Sequence, residues 1–137
     1  MFAGLGPLIL RVALGIIFLV HGRFKLQPTA RQGVVQVAGW LKQIGVPLPL
    51  LAAWGVVLLE TVGALLLILG LGTRILGILF AAEMLVVIVA VKRGAMKMPF
   101  MAQQGTGWEL DFAVLAGALS LVFTGAGALA LDRALGL

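Results

Sequence analysis

The sequence predicts an all-α membrane protein: one four-transmembrane-helix bundle over residues 1–137, with a short interfacial amphipathic helix between helices 1 and 2. Three observations carry this. Hydrophobic residues make up 62% of the chain and charged residues 11%, far from the balance of a soluble domain. Almost every stretch longer than about eighteen residues is apolar, and ~20 such residues cross a hydrocarbon core. The few ionisable groups either gather between the apolar stretches or stand alone inside them.

The first span is expected at about 5–22. It is read as a span and not a cleaved signal peptide, because it lacks a basic start and Arg11 would split the apolar region. Between it and the second span, Val34, Val37, Ala38, Leu41 and Ile44 recur at helical spacing, while Arg31, Gln32, Gln36, Lys42 and Gln43 fall elsewhere. Pro28 precedes this stretch, and Gly45, Pro47 and Pro49 end it. An amphipathic helix over about 31–44 follows, lying in the membrane interface with Trp40 at headgroup depth, or alternatively packed over the bundle mouth. The second and third spans, about 50–71 and 73–91, are joined by Gly70-Leu71-Gly72-Thr73, a tight glycine turn that makes them an antiparallel hairpin. The fourth runs from about 108 to 130. Glu109 and Asp111 open it, where acids complement the helix dipole. Ala116, Ser120, Thr124 and Ala128 form a small-residue stripe along it, suited to close contact within the bundle or between copies in a homo-oligomer. Arg11, Gly15 and Phe18 loosely echo Arg74, Gly77 and Phe80, the trace of a parallel internal repeat.

Charge sets an orientation. Arg23, Lys25, Arg31 and Lys42 occupy the first connection and Lys92, Arg93 and Lys97 the third. The second has only Arg74, and near the C-terminus Asp132 balances Arg133. The positive-inside rule places loops 23–49 and 92–107 in the cytoplasm and both termini outside a cell (inner) membrane. The net charge of +5 is thereby assigned to topology, and no nucleic-acid partner is expected. Cysteine is absent, which excludes disulfides, thiolate catalysis and iron–sulfur ligation. His21 is the single histidine, so no multi-histidine metal or haem site is expected. Met96, Met98 and Met101 read as a membrane-docking cluster, not a copper site.

Arg11, Glu60 and Glu83 interrupt three apolar runs. Ionisable groups at such positions face the protein interior and pair, because a charge in hydrocarbon is costly. By helical rise Arg11 lies roughly 9 Å below the outer end, and Glu60 and Glu83 both roughly 15 Å. An Arg11–Glu60–Glu83 cluster is therefore expected. One guanidinium cannot neutralise two adjacent carboxylates, so one glutamate is expected to keep its proton. Such a centre suits a proton relay or a grip on a carbonyl head group, and equally a structural clasp between helices. His21 and Lys25 lie one turn apart at the cytoplasmic end of the first helix, available to a ligand head group. Glu109 and Asp111 fall at the same membrane face, where salt bridges to that pair are expected.

The pattern resembles the DoxX family of small four-helix membrane proteins over nearly the whole chain. The matching pieces are Arg11-x3-Gly15-x2-Phe18 with His21-Gly22-x2-Lys25, Gly45-Val46-Pro47-x-Pro49, Glu60-x2-Gly63 and Leu69-Gly70-Leu71-Gly72-Thr73-Arg74. The last is Gly107-x-Glu109 through Gly125-Ala126-Gly127 to Asp132. The resemblance implies a role beside redox chemistry, since relatives include the small membrane subunit of a thiosulfate:quinone oxidoreductase and a component of a membrane complex handling thiol stress. It makes Arg11, His21, Lys25 and Glu60 the leading site candidates. Glu83 is added by its burial, and Trp40, Arg74, Glu109 and Asp111 as structural or interface residues. The expected function is a membrane subunit that binds a quinone-like or lipid-like molecule and works with a redox-enzyme partner, not catalytic alone. The alternatives are a scaffold or assembly factor and a proton-coupled carrier. No nucleophile motif, nucleotide loop or metal site is evident.

Overall fold

The computed structural model describes residues 4–27 and 33–137, and every regular element there is helical. Helix α1 spans Leu5–Leu26, α2 Val34–Gln43, α3 Pro49–Leu69 and α4 Thr73–Ala95, α5 Glu109–Thr124 and α6 Leu131–Leu135. Their limits follow local chemistry. α1 stops where Gln27 turns extended (φ −68°, ψ 131°), the conformation favoured before a proline. Gly45 takes φ +82° after α2, and Val46 N–H closes onto Leu41 O at 2.9 Å. Pro49 opens α3, where its missing N–H has no helical partner to lose. Gly70 and Gly72, at φ +71° and +66°, make the reversal into α4.

Helices α1, α3 and α4, with 22, 21 and 23 residues, are each long and apolar enough to cross a membrane. The fourth expected span differs from its reading at 108–130. Helix α5 has 16 residues, roughly 24 Å at the helical rise, and ends at Thr124. Gly125, Gly127 and Leu129 then take positive φ values of 72°, 75° and 52°, which no α-helix accommodates. The front of the expected interfacial helix, residues 31 and 32, lies outside the described residues. The described part, α2, packs on the first half of α3 by setting Val37 and Ala38 against Ala53.

Helices α1, α3, α4 and α5 share one apolar core built from residues such as Leu14, Phe18, Ala64, Leu67, Phe80, Met84, Ala118 and Leu121. Phe18 and Phe80 stack at its centre with ring centroids 3.9 Å apart. Large apolar side chains including Ile9, Ile75 and Phe123 point outward, as the lipid-facing surface of a membrane protein requires. Three members of the small-residue stripe, Ala116, Ser120 and Thr124, are exposed, whereas Ala128 lies beyond the end of α5 and bonds Gly4 O through its N–H at 2.8 Å; Gly77 instead meets α5 at Ala118 and Val122.

The helical ladder widens to π geometry twice, over Leu59–Gly63 within α3 and over Val87–Ala95 at the end of α4. Such widened turns gather at functional sites because they re-aim side chains. One carries Glu60 and the other Lys92.

Candidate functional site

The expected Arg11–Glu60–Glu83 cluster is replaced by two separate polar centres. Arg11, 1% exposed, directs its guanidinium to backbone carbonyls. Nε donates to Ala126 O at 2.9 Å, Nη1 to Ile68 O and to Leu67 O at 3.4 Å, and Nη2 to Ala128 O at 3.2 Å and Leu129 O at 2.7 Å. The physical reason is unmet demand. The last carbonyls of α3 have no intrahelical partner, and the broken backbone after Gly125 supplies three more. Glu60 lies nine residues before Leu69 on α3, roughly 13 Å along the axis, beyond the reach of a guanidinium held there. Arg74 acts alike at the end of α5, donating to Val122 O at 2.6 Å and Phe123 O at 3.1 Å. Asp132 completes this end by accepting from Gly72 N at 2.6 Å and Thr73 N at 2.9 Å, which caps α4 from outside its own sequence.

The glutamates have a different cation. Lys25 Nζ forms a salt bridge with Glu60 Oε2, and Glu60's side chain is only 4% exposed. The Glu83 carboxyl is buried beside that of Glu60 and near Lys25. Its Oε2 is buried without a partner. One ammonium thus stands beside two carboxyl groups drawn from α3 and α4 and is bonded to that of Glu60. Gly22 makes the approach possible: a Cβ there would sit 2.8 Å from the carbonyl carbon and oxygen of Glu60. Arg11, Gly15, Phe18, Gly22 and Lys25 recur at helical spacing on one face of α1. That stripe was legible and carries Lys25 inward to Glu60, whereas its position at the helix end suggested Glu109 and Asp111 as partners.

Two cavities flank the Lys25–Glu60 bridge. The larger, about 320 Å³, lies between the end of α1 and α2 and is lined by His21, Phe24, Lys25, Gln27, Gln36, Val37 and Trp40. The smaller, about 50 Å³, lies inside the bundle and touches Phe18, His21, Glu60, Met84, Leu110 and Asp111. His21 borders both. Its Nδ1 is 2.8 Å from Ile17 O; a carbonyl only accepts, so Nδ1 carries the hydrogen and Nε2 is left for other partners.

The expected salt bridges from His21 and Lys25 to Glu109 and Asp111 do not form. Lys25 is held by Glu60, and Asp111 is held by Lys92, whose Nζ lies 2.5 Å from Asp111 Oδ2 and 3.1 Å from Gly107 O. Glu109 Oε2 is buried without a hydrogen bond. Arg93 lies 5.6 Å from the centre of the Trp108 ring, and Phe100 meets that ring edge to face at 4.6 Å. Sequence reasoning missed Lys92 and Asp132 as pairing groups, because both partners are remote in the chain. Among the described residues no group of His, Asp and Glu has the arrangement of a metal site.

These features define a class: a multi-pass helical membrane protein with an ionic centre buried among its helices. The family model described as DoxX matches residues 6–93, and the chain belongs to that family. It is similar to "Putative oxidoreductase CatD" of Bacillus subtilis (strain 168), at 38% identity over 128 residues, covering 93% of this chain and 85% of the relative. It is also similar to "Inner membrane protein YphA" of Escherichia coli (strain K12), at 31% identity over 127 residues, covering 92% and 87%. No solved structure matches.

Proposed function

We propose that this chain is a membrane subunit that holds the polar head of a quinone-like or lipid-like molecule at the Lys25–Glu60–Glu83 centre and works with a redox partner. The carrying observation is the Lys25 ammonium, fixed on a buried carboxylate in the wall of a 320 Å³ cavity. Phe24, Val37 and Trp40 give that cavity apolar walls for a ring or chain, and His21 and Lys25 give it donors for a carbonyl or phosphate oxygen. The DoxX membership and the name of the Bacillus subtilis relative support the redox association.

In this reading the whole chain is one domain, α5 serves as the fourth span and α2 rests at the interface with Trp40 at headgroup depth. Both termini lie outside, so the cavity opens on the Lys- and Arg-rich cytoplasmic side. The outward stripe of Ala116, Ser120 and Thr124 is available to a second copy or to the partner.

A short-chain quinone titrated onto the purified protein in lipid nanodiscs tests the ligand. Trp40, in the cavity wall, should be quenched saturably, and Trp40→Phe should remove that signal. Loss of a hydrogen bond to a charged group predicts roughly tenfold weaker binding for Glu60→Gln. Unsaturable quenching, or unchanged affinity in Glu60→Gln, sinks the ligand reading. Unchanged affinity together with altered co-purification of a partner points to a scaffold.

A further inference from the structure

We propose that His21 passes protons between the aqueous edge of the bundle and the buried Glu60–Glu83 pair, through the small cavity between them. The proposal shares Glu60 with the ligand reading and needs no ligand to operate.

Carboxyl chemistry supplies the cargo. Two carboxylates buried side by side repel one another unless one of them takes a proton, and Glu83 is buried beside Glu60 with its Oε2 unpartnered. The buried, unpartnered Oε2 of Glu83 agrees, since an unmet oxygen is far less costly on a neutral acid than on an anion. Lys25 contributes one positive charge against two acids, which leaves one acid to be neutralised by a proton.

Geometry supplies the route. Glu60 and His21 border the same 50 Å³ cavity with Asp111. That space is large enough for a water, and His21, Glu60 and Asp111 offer three polar neighbours, the number a buried water usually finds. His21 is exposed on its other side, where it lines the larger cavity. With Nδ1 fixed on Ile17 O, Nε2 is the nitrogen that can take a proton and release it, a role imidazole fills near neutral pH.

The charged groups facing this path come from four helices, and Glu109, whose Oε2 is also buried without a partner, opens the helix that carries Asp111. His21 and Lys25 come from α1, Glu60 from α3, Glu83 and Lys92 from α4, and Asp111 from α5. Lys92 neutralises Asp111, and Lys25 bonds Glu60. Glu83 is therefore the unpaired acid beside Glu60, and His21 is the imidazole that borders both cavities.

Infrared spectroscopy of the protein in nanodiscs tests both halves. A carboxylic-acid C=O band should be present at neutral pH and should disappear in Glu83→Gln. On transfer to heavy water the band should shift promptly in the wild type and roughly tenfold or more slowly in His21→Ala, as expected when a general acid–base group is lost. Imidazole in the buffer should restore the rate, and His21→Gln should stay slow if the alanine variant fails to fold. Absence of the acid band overturns the proton on Glu83. An unchanged exchange rate in the His21 variants, or slow exchange that imidazole does not rescue, overturns the route. Quinone quenching on the same samples separates this from the ligand reading: exchange that persists without saturable quenching sinks the ligand alone.

Discussion

Arg11 shows how one buried side chain can hold a broken backbone to the end of a neighbouring helix. Its donors meet carbonyls from the end of α3 and from the turn after α5, groups that a helix end or a broken backbone leaves without an intrahelical partner. Removing a buried charged partner typically destabilises by about 3–5 kcal/mol. Arg11→Leu should lose stability on that scale and open the chain after Gly125 to proteolysis. Arg11→Lys should recover less than half, because an ammonium cannot reproduce the guanidinium fork. Unfolding in detergent and limited proteolysis check this, and wild-type stability in Arg11→Leu would contradict it. Burial of Arg11 was legible from its isolation in an apolar run. Its partners were not, because backbone carbonyls leave no mark in a sequence and depth arithmetic places a side chain along one axis only.

At the scale of elements, α1 and α4 do equivalent work with equivalent residues. Arg11 and Arg74 each donate to carbonyls at the end of a neighbouring helix. Gly15 and Gly77 each admit a neighbour, α3 and α5 respectively, and Phe18 and Phe80 meet in the core. The faint echo between these triplets in the sequence therefore has a structural counterpart. Helix positions were also legible, since Pro49, Gly70 and Gly72 mark their boundaries directly. The early end of α5 was missed because Gly125-Ala126-Gly127 lies in an apolar stretch whose hydropathy continues unbroken. The partner of Lys25 was missed for a similar reason: a cation at a helix end pairs by sequence with the acids expected at the same face, Glu109 and Asp111, whereas the stripe through Gly22 turns it to Glu60. Gly22→Ala should drive α1 from the Glu60 turn and lower both stability and quinone affinity. Gly6→Ala, with open space at its Cβ, should raise stability by about 0.5–1 kcal/mol. Thermal unfolding of the two variants side by side checks the contrast, and equal effects would contradict it.

Taken whole, the molecule has two poles with different tasks. Arg11, Arg74 and Asp132 tie helix ends together at one pole and leave their charges fully engaged with backbone. At the other, Lys25 pairs with Glu60 beside an unpaired Glu83, Lys92 holds Asp111, and His21 stands between two cavities. Polar side chains spent on backbone read as architecture, and polar side chains facing space read as a site. The central claim is that this second pole holds an amphiphilic molecule. Native mass spectrometry of the protein released from its own membrane tests it most directly. The wild type should carry a quinone or lipid adduct that survives mild activation, and the Glu60→Gln, Lys25→Met double variant should have lost it. A folded wild type with no adduct, or one retained equally by the double variant, would contradict the account.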